Sequence, residues 1–231
     1  MSRPQVLIAQ PIYGWVPAEA AMAFAQLVGR TSRLGLCSGI GQTSYGILSQ
    51  ARNILLTQVF AHPSQPTHVL FVDSDMVVPE DVLERLLAHR KSVVSALYFM
   101  RRPPYLPVAI KGDSKVGEPT KFFVDYPPGL STVSSVGMGC CLIETSVLRQ
   151  IQDKYKDEKW FSFENNEGED IWFCKRARSL GHSIYLDADA KCGHVGEFIV
   201  RESHFKLGYE GDKASVSKAL TGKYEPEPVN V

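Results

Sequence analysis

The chain alternates between short unbroken apolar runs and longer stretches in which apolar residues recur every third or fourth position. "QVLIAQPIYG" reads as a buried strand running into a turn at Pro11 and Gly14, and "PAEAAMAFAQLVGR" as an Ala-rich helix expected to stop near Gly29. "RLGLCSG" is expected to be a second strand. In "ILSQARNILLTQVFAH", Leu48, Ala51, Leu55 and Val59 make an inward helical face, with Ser49, Arg52 and Asn53 as a polar stripe beside it. "HVLFV" is a third strand, apolar throughout as a strand covered on both faces should be. "PEDVLERLLAHR" reads as a helix with Pro79 in its first turn, acids at its start and Arg90 at its end, and "SVVSALYF" as a fourth strand. Strand and helix thus alternate through the first hundred residues, which predicts an α/β fold with a mostly parallel sheet between helical layers.

From Met100 the pattern changes. "MRRPPYLPVAIKGDSKVGEP" is rich in Pro and Gly, "KFFVDY" and "STVSSVGMGCCLIE" read as strands, and "TSVLRQIQDKY" as a helix, so a smaller mixed or antiparallel part is expected here. "EDIWFCKRARSLGHSIYLDADAKCGHVG" gives a helix with Ile171, Cys174, Ala177 and Leu180 inward, a stop at Gly181, a strand "SIYLD" and a loop ending at His194. Residues 1–210 are read as a single domain, and 211–231 as a polar C-terminal tail, disordered or loosely packed.

Composition narrows the classes. Lys plus Arg equals Asp plus Glu at 25 each, so no global field draws the chain to nucleic acid or an anionic membrane. No apolar segment reaches the length of a bilayer span or a signal-peptide core, which predicts a soluble cytoplasmic protein without a transmembrane segment. Five cysteines, an odd count without a CxxC pair, lie in apolar surroundings and read as buried reduced thiols.

The chemistry begins at "FVDSDM". Asp73 and Asp75 follow the third strand at a spacing of two, and since side chains alternate along a strand both carboxylates are expected to project to one side at its carboxyl end, the ligand-binding end of an open α/β sheet. Paired carboxylates repel unless a cation lies between them, and a hard oxygen site of this kind suits Mg2+ or Mn2+ carrying a phosphate. The alternative is a turn in which Ser74 and Asp75 lead into the helix at Pro79. A second acidic pair, Glu169 and Asp170, opens a later helix, where capping is a sufficient reason for an acid. His194 sits in "GHVG" between glycines. "GIGQTSYG" lacks the GxGxxG spacing and "LTGKYE" lacks the rest of a P-loop, which removes the dinucleotide-binding and P-loop readings.

Taken in order, "LIAQPIYG", "SQARNILLTQVF", "THVLFVDSDMVVPEDVLERLL", "SVVSALYF", "GMGCCLIE", "GEDIWFCKRARSLGHSIYLD" and "GHVG" resemble the motif series of GT-A (Rossmann-like) glycosyltransferases of the compact family 2-like type encoded by bacteria and bacteriophages. The resemblance spans Val6 to Gly196. It implies a metal-dependent transferase that moves a sugar from a nucleotide-sugar, with a UDP-sugar favoured, to an acceptor hydroxyl. Asp73, Ser74 and Asp75 take the place of the DxD motif, with Asp75 as the strongest metal ligand, Asp73 nearer the ribose, and His194 completing the metal shell around Mn2+ or Mg2+. Pro11, Ile12 and Tyr13 match the base-binding segment, Arg52 and Asn53 the helical element near the nucleotide, and Gly137, Met138 and Gly139 the strand bordering the sugar. Asp170 takes the place of the catalytic base, with Glu169 beside it. A helix N-terminus lowers a carboxylate pKa, so Asp170 is expected to be ionised and intrinsically weak as a base.

Two other readings remain. A sugar nucleotidyltransferase shares the layout but carries a basic Gly-rich signature after its first strand, which "QPIYGWVPAEA" lacks. An inactive GT-A scaffold would need none of Asp73, Asp75, Asp170 and His194. The acceptor is open between a hydroxymethylated pyrimidine in phage DNA, a protein and a glycan, with a host-cytoplasmic location if the chain is phage-encoded. Arg101, Arg102, Lys111, Lys115 and Lys121 offer a basic strip for DNA, or a set of scattered solvated charges.

Overall fold

In the computed structural model, residues 3–44, 46–112, 120–156, 159–164 and 167–211 are described. Strand β1 (Val6–Ile12) leads into helix α1 (Ala18–Arg33), strand β2 (Cys37–Ser44), helix α2 (Leu48–Ala61) and strand β3 (His68–Val72). A two-residue strand β4 (Met76–Val77) precedes helix α3 (Val82–Ala88) and strand β5 (Val93–Leu97). The second half comprises β6 (Ala109–Ile110), β7 (Leu130–Val133), β8 (Ser135–Val136), β9 (Cys140–Glu144), helix α4 (Thr145–Tyr155), helix α5 (Glu169–Ser179), β10 (Ile184–Lys191), β11 (Gly193–Val195), β12 (Ile199–Val200) and helix α6 (Glu202–Gly211).

Among the described residues, the central sheet has seven strands in the order β2-β1-β3-β9-β5-β10-β7. β1 is parallel to both β2 and β3, and β10 is parallel to β5. β9 is antiparallel to both β3 and β5, so β3 and β5 share a direction; β2, β1, β3, β5 and β10 therefore run one way, β9 and β7 the other. The mostly parallel sheet is as the sequence predicts, but β5 does not lie beside β3: the later strand β9 is inserted between them. Every residue from Cys140 to Ile143 is buried, as the centre of the sheet requires.

Alternation along the strands divides the core into two layers. Leu7, Val69, Phe71, Val93 and Cys141 pack with Leu55, Leu56 and Val59 of α2, Val147 and Ile151 of α4, and Phe173, Cys174 and Ala177 of α5. Their strand neighbours Val6, Ile8, Leu70, Val72 and Val94 face the other way, onto Ala23, Phe24 and Leu27 of α1 and Val82, Leu83 and Leu86 of α3. Each fully buried side chain of this size contributes about 1.5–3 kcal/mol, so the two faces set which helix covers which side.

Several local expectations shift. α1 runs through Gly29 because Thr31 is buried with its hydroxyl donating to Leu27 O at 2.8 Å, and the chain turns instead at Gly35, whose φ of +62° is left-handed. "KFFVDY" makes a single bridge, Ile110 to Phe122, because Phe123 is buried in the core and Phe122, Val124 and Tyr126 pack against it. On α5, Cys174 and Ala177 face inward as expected, but Phe173 and Arg176 are buried with them while Ile171 and Leu180 are only partly covered. α6 was not foreseen; residues 212–231, which make up nearly all of the expected tail, lie outside the described residues. All five cysteines are unpaired, and four are buried. Among the described residues, no helix is long and apolar enough to cross a membrane.

Candidate active site

The expected site residues gather at the carboxyl edge of β1, β3 and β5, but not in the pairing their spacing suggested. β3 ends at Val72, and Asp73 to Asp75 form a turn before β4, closed by Met76 N–H donating to Asp73 O at 3.1 Å. Ser74 is buried within it. The turn is held from both sides: Asp73 N–H donates to Gly139 O at 2.9 Å, and Asp75 O accepts from Val195 N–H at 2.8 Å. Because the strand has ended, period-two alternation no longer applies, and the two carboxylates take different partners.

Asp73 belongs to Arg52. Arg52 Nη2 donates to Asp73 Oδ2 at 3.1 Å, while Nη1 lies 2.9 Å from Oδ1 at an angle outside hydrogen-bonding geometry, so that leg of the pair is purely Coulombic. Arg52 Nε reaches Glu169 Oε1 at 3.5 Å. The guanidinium is buried, 5.4 Å from the Phe71 ring centroid and 6.0 Å from that of Phe161. Burial alone would lower its pKa, but Asp73 and Glu169 outweigh that and raise it. Arg52 is therefore a fixed cation that ties the turn after β3 to the start of α5, rather than a residue free to meet the nucleotide. Asn53 is likewise committed: its amide donates to Ser49 O at 2.8 Å and Phe161 O at 2.7 Å and accepts from Phe161 N–H at 3.1 Å. It clamps the segment before α5 and has no donor left for a ligand.

Asp75 belongs to His194. His194 is on β11, not in a loop, and its register partner is Met76. Its Nδ1 is 2.7 Å from Phe99 O, an acceptor only, so Nδ1 carries a proton, and Nε2 is the ring nitrogen that faces Asp75, 3.5 Å from Oδ2. Arg101 Nη1 donates to the same Oδ2 at 2.9 Å. Burial would raise the Asp75 pKa, yet His194 and Arg101 together hold it below the usual value. Of the three expected metal ligands, then, the fold brings Asp75 and His194 together and gives Asp73 to Arg52. Among the described residues, no group of three or more His, Cys, Asp and Glu side chains converges to hold a metal. The two that do converge, one carboxylate and one imidazole oriented from behind by a carbonyl, could hold a divalent ion only together with oxygens of a bound ligand, and such a set would favour Mn2+ over Mg2+.

Asp170 opens α5 beside Glu169, and its Oδ1 accepts from the N–H of Ile171 at 2.7 Å. Its pKa is pushed up to about 6, first by burial and then by the like charge of Glu169, against the lowering effects of the Ile171 N–H and Arg52. The helix terminus is thus outweighed, and the expected weak base is instead poised near neutrality, the range in which a general base is most effective.

Gly137 and Gly139 leave room for a residue that the sequence did not single out. A Cβ at Gly137 would overlap the Tyr98 hydroxyl, and one at Gly139 would lie 2.8 Å from Tyr98 Cζ. Tyr98 Oη accepts from Gly139 N–H at 3.1 Å, and the ring meets His194 edge-on at 5.5 Å. Burial, then Asp73 and Asp170, raises the Tyr98 pKa well above its ordinary value, so it remains a neutral phenol among the site's carboxylates. Met138 is buried in the core. The expected sugar-bordering strand therefore makes space for Tyr98. Gly137→Ala should cost about 1–3 kcal/mol of stability by overpacking; an unchanged urea midpoint would show that Tyr98 moves aside freely.

At the remaining edge, Pro11 is buried, Ile12 is partly covered and Tyr13 is 75% exposed, open to stack on a planar ligand. Arg101 and Arg102 are exposed at the site, whereas Lys111 N–H donates to Lys121 O at 2.9 Å at the far end of β6; Lys115 lies outside the described residues.

Solved structures share this architecture. The chain is similar to A197 from STIV, with a TM-score of 0.54 and 18% sequence identity over 83% of this chain and 86% of that chain. It is also similar to GalNAc-T7, whose structure was solved with UDP, GalNAc and Mn2+, with a TM-score of 0.52 and 10% identity over 90% of this chain and 48% of that chain. It thus spans about half of the GalNAc-T7 chain. No family model and no curated protein matches the sequence. The fold is α/β of the GT-A type, a mostly parallel sheet flanked by helices with small antiparallel sheets beside it.

Proposed function

We propose that this protein is a metal-dependent glycosyltransferase that moves a sugar from a nucleotide-sugar, with a UDP-sugar favoured, to an acceptor hydroxyl. The observation that carries the reading is the convergence of two half-sites at one sheet edge. Asp75 and His194 sit at the turn after β3, and the poised Asp170 sits at the start of α5, with Arg52 joining the two. The likeness to GalNAc-T7, a structure holding UDP, GalNAc and Mn2+, supports both the donor class and the metal.

In this reading Asp75 and His194 hold the divalent ion, which when bound neutralises charge on the departing diphosphate. Asp170 accepts the proton of the acceptor hydroxyl as that oxygen bonds to C1 of the sugar; the bond from C1 to the diphosphate oxygen breaks, and the nucleoside diphosphate leaves. Glu169, tied to Arg52, keeps Asp170 in place and its pKa high. Tyr13 with Pro11 and Ile12 is assigned to the base, and Ser74 to the turn that presents Asp75 to the diphosphate. Asp73 is assigned to holding Arg52, with its ribose role secondary.

Calorimetry with UDP tests the reading. Binding is expected to require Mn2+ and to be lost in Asp75→Ala, and binding that persists unchanged in EDTA would overturn it. Nucleotide-sugars that raise the melting temperature with Mn2+ then define the donor, and acceptor trials that include hydroxymethylated DNA, proteins and glycans define the product.

A further inference from the structure

We infer that Arg101 is a stand-in cation: it neutralises Asp75 while no divalent ion is bound, and moves its guanidinium to the donor's diphosphate when the ion takes the carboxylate. This inference rests on the metal-dependent reading above.

The geometry at one oxygen carries it. Arg101 Nη1 lies 2.9 Å from Asp75 Oδ2, and His194 Nε2 faces the same Oδ2 from 3.5 Å. Oδ2 is the oxygen that an ion shared by Asp75 and His194 would approach, and a guanidinium hydrogen-bonded to it would be repelled as a like charge. His194 cannot be the group that yields, since its Nδ1 is fixed on Phe99 O at 2.7 Å and its strand is paired on both sides.

Arg101 is built to move at its tip and not at its base. Its side chain is 55% exposed. The backbone on either side of it is hydrogen-bonded, Met100 N–H donating to Leu106 O and Tyr105 N–H to Arg102 O, each at 2.9 Å. Tyr105 packs on Phe198 at 5.8 Å and on His204 at 6.2 Å. The contrast with Arg52 is instructive: that guanidinium is 2% exposed, held by two carboxylates and flanked by two aromatic rings, and cannot swing. A planar guanidinium released from its single bond to the carboxylate is shaped to take two phosphate oxygens at once, so the exchange leaves neither Asp75 nor the diphosphate without a counter-charge.

The experiment compares wild type, Arg101→Ala, Arg101→Lys and Asp75→Ala in two titrations: Mn2+ without nucleotide, followed by electron paramagnetic resonance, and UDP at saturating Mn2+, followed by calorimetry. With the competing cation removed, Arg101→Ala should bind Mn2+ about 2- to 5-fold more tightly than wild type. It should bind UDP with Mn2+ about tenfold or more weakly, having lost a charge-assisted donor. Arg101→Lys should fall between the two in both titrations. Unchanged or weaker Mn2+ binding by Arg101→Ala, or unchanged UDP binding, overturns the exchange. If wild type binds Mn2+ and Asp75→Ala does not while Arg101→Ala behaves as wild type, only this inference fails. If wild type and Asp75→Ala alike bind no Mn2+, the metal-dependent reading fails and takes the inference with it.

Discussion

Asp170→Asn is expected to abolish transfer while leaving a better-folded protein that still binds its donor. The loss of a general base lowers kcat by about 10²- to 10⁴-fold. The UDP and Mn2+ titrations should match wild type, because Asp170 is on α5 and touches neither Asp75 nor His194 in the structure. Stability should change in the opposite direction to activity. The folded pKa of Asp170 is about 6, above the ordinary carboxylate value, so the folded state binds the proton more tightly than the unfolded chain does. Ionised Asp170 therefore costs stability at neutral pH, a cost that disappears as pH falls through 6 towards the unfolded value. Asparagine removes it, and the variant should gain on the order of 1–3 kcal/mol at pH 7–8 with little change near pH 4. The pH–rate profile gives the second readout: wild-type kcat should fall about tenfold per pH unit below pH 6, as the base is protonated. Turnover close to wild type in Asp170→Asn would remove Asp170 from the chemistry. An acid limb centred near 4 would show that burial and Glu169 do not set its pKa.

Arg52→Met is expected to be the most destabilising single change at the site. The methionine keeps the packing between Phe71 and Phe161 but leaves Asp73 and Glu169 without their shared counter-charge. Removing one partner of a buried ion pair typically costs about 3–5 kcal/mol, and the 23% exposure of the Asp73 side chain places this case at the lower end. Because Arg52 lowers the Asp170 pKa, its loss should also shift the acid limb of the rate profile above pH 6. Arg52→Lys retains the charge without the two-carboxylate span and should be milder in both respects. The double variant Arg52→Met with Asp73→Asn should recover much of the lost stability, since neutralising both members of a buried pair is far less costly than orphaning one. Urea denaturation checks the series; a loss below about 1 kcal/mol in Arg52→Met would mean that water reaches the pair and screens it.

The legible parts of this molecule were those written in local periodicity. "HVLFV" is β3 residue for residue and "TSVLRQIQDKY" is α4, because a run buried on both faces and an amphipathic turn each carry their own signature in a few adjacent residues. The acid pairs and His194 were visible as chemistry, and spacing after an apolar run placed Asp73 and Asp75 at the carboxyl end of β3, where the structure has them. Tyr98 was hidden because it follows directly on an apolar strand and reads as core, although the glycines it packs against at 137 and 139 were plain in the sequence. Asn53 looked like a ligand group because its partner, the Phe161 backbone, is 108 residues away.

By itself, then, the sequence determined the alternation of strand and helix through its first hundred residues, the helices on both faces of the sheet and the place of Asp73 and Asp75 at the carboxyl end of β3, since these follow from side-chain spacing within one element and the next. Tertiary structure decided which of those groups face one another. It placed β9 between β3 and β5, separated Asp73 from Asp75 by ending the strand at Val72, and brought Arg52 to Glu169 across 117 residues of chain. It also raised the Asp170 pKa where a helix terminus alone would have lowered it. Desolvation and Coulomb interaction depend on distances between elements far apart in the chain, and those distances exist only once the sheet has closed.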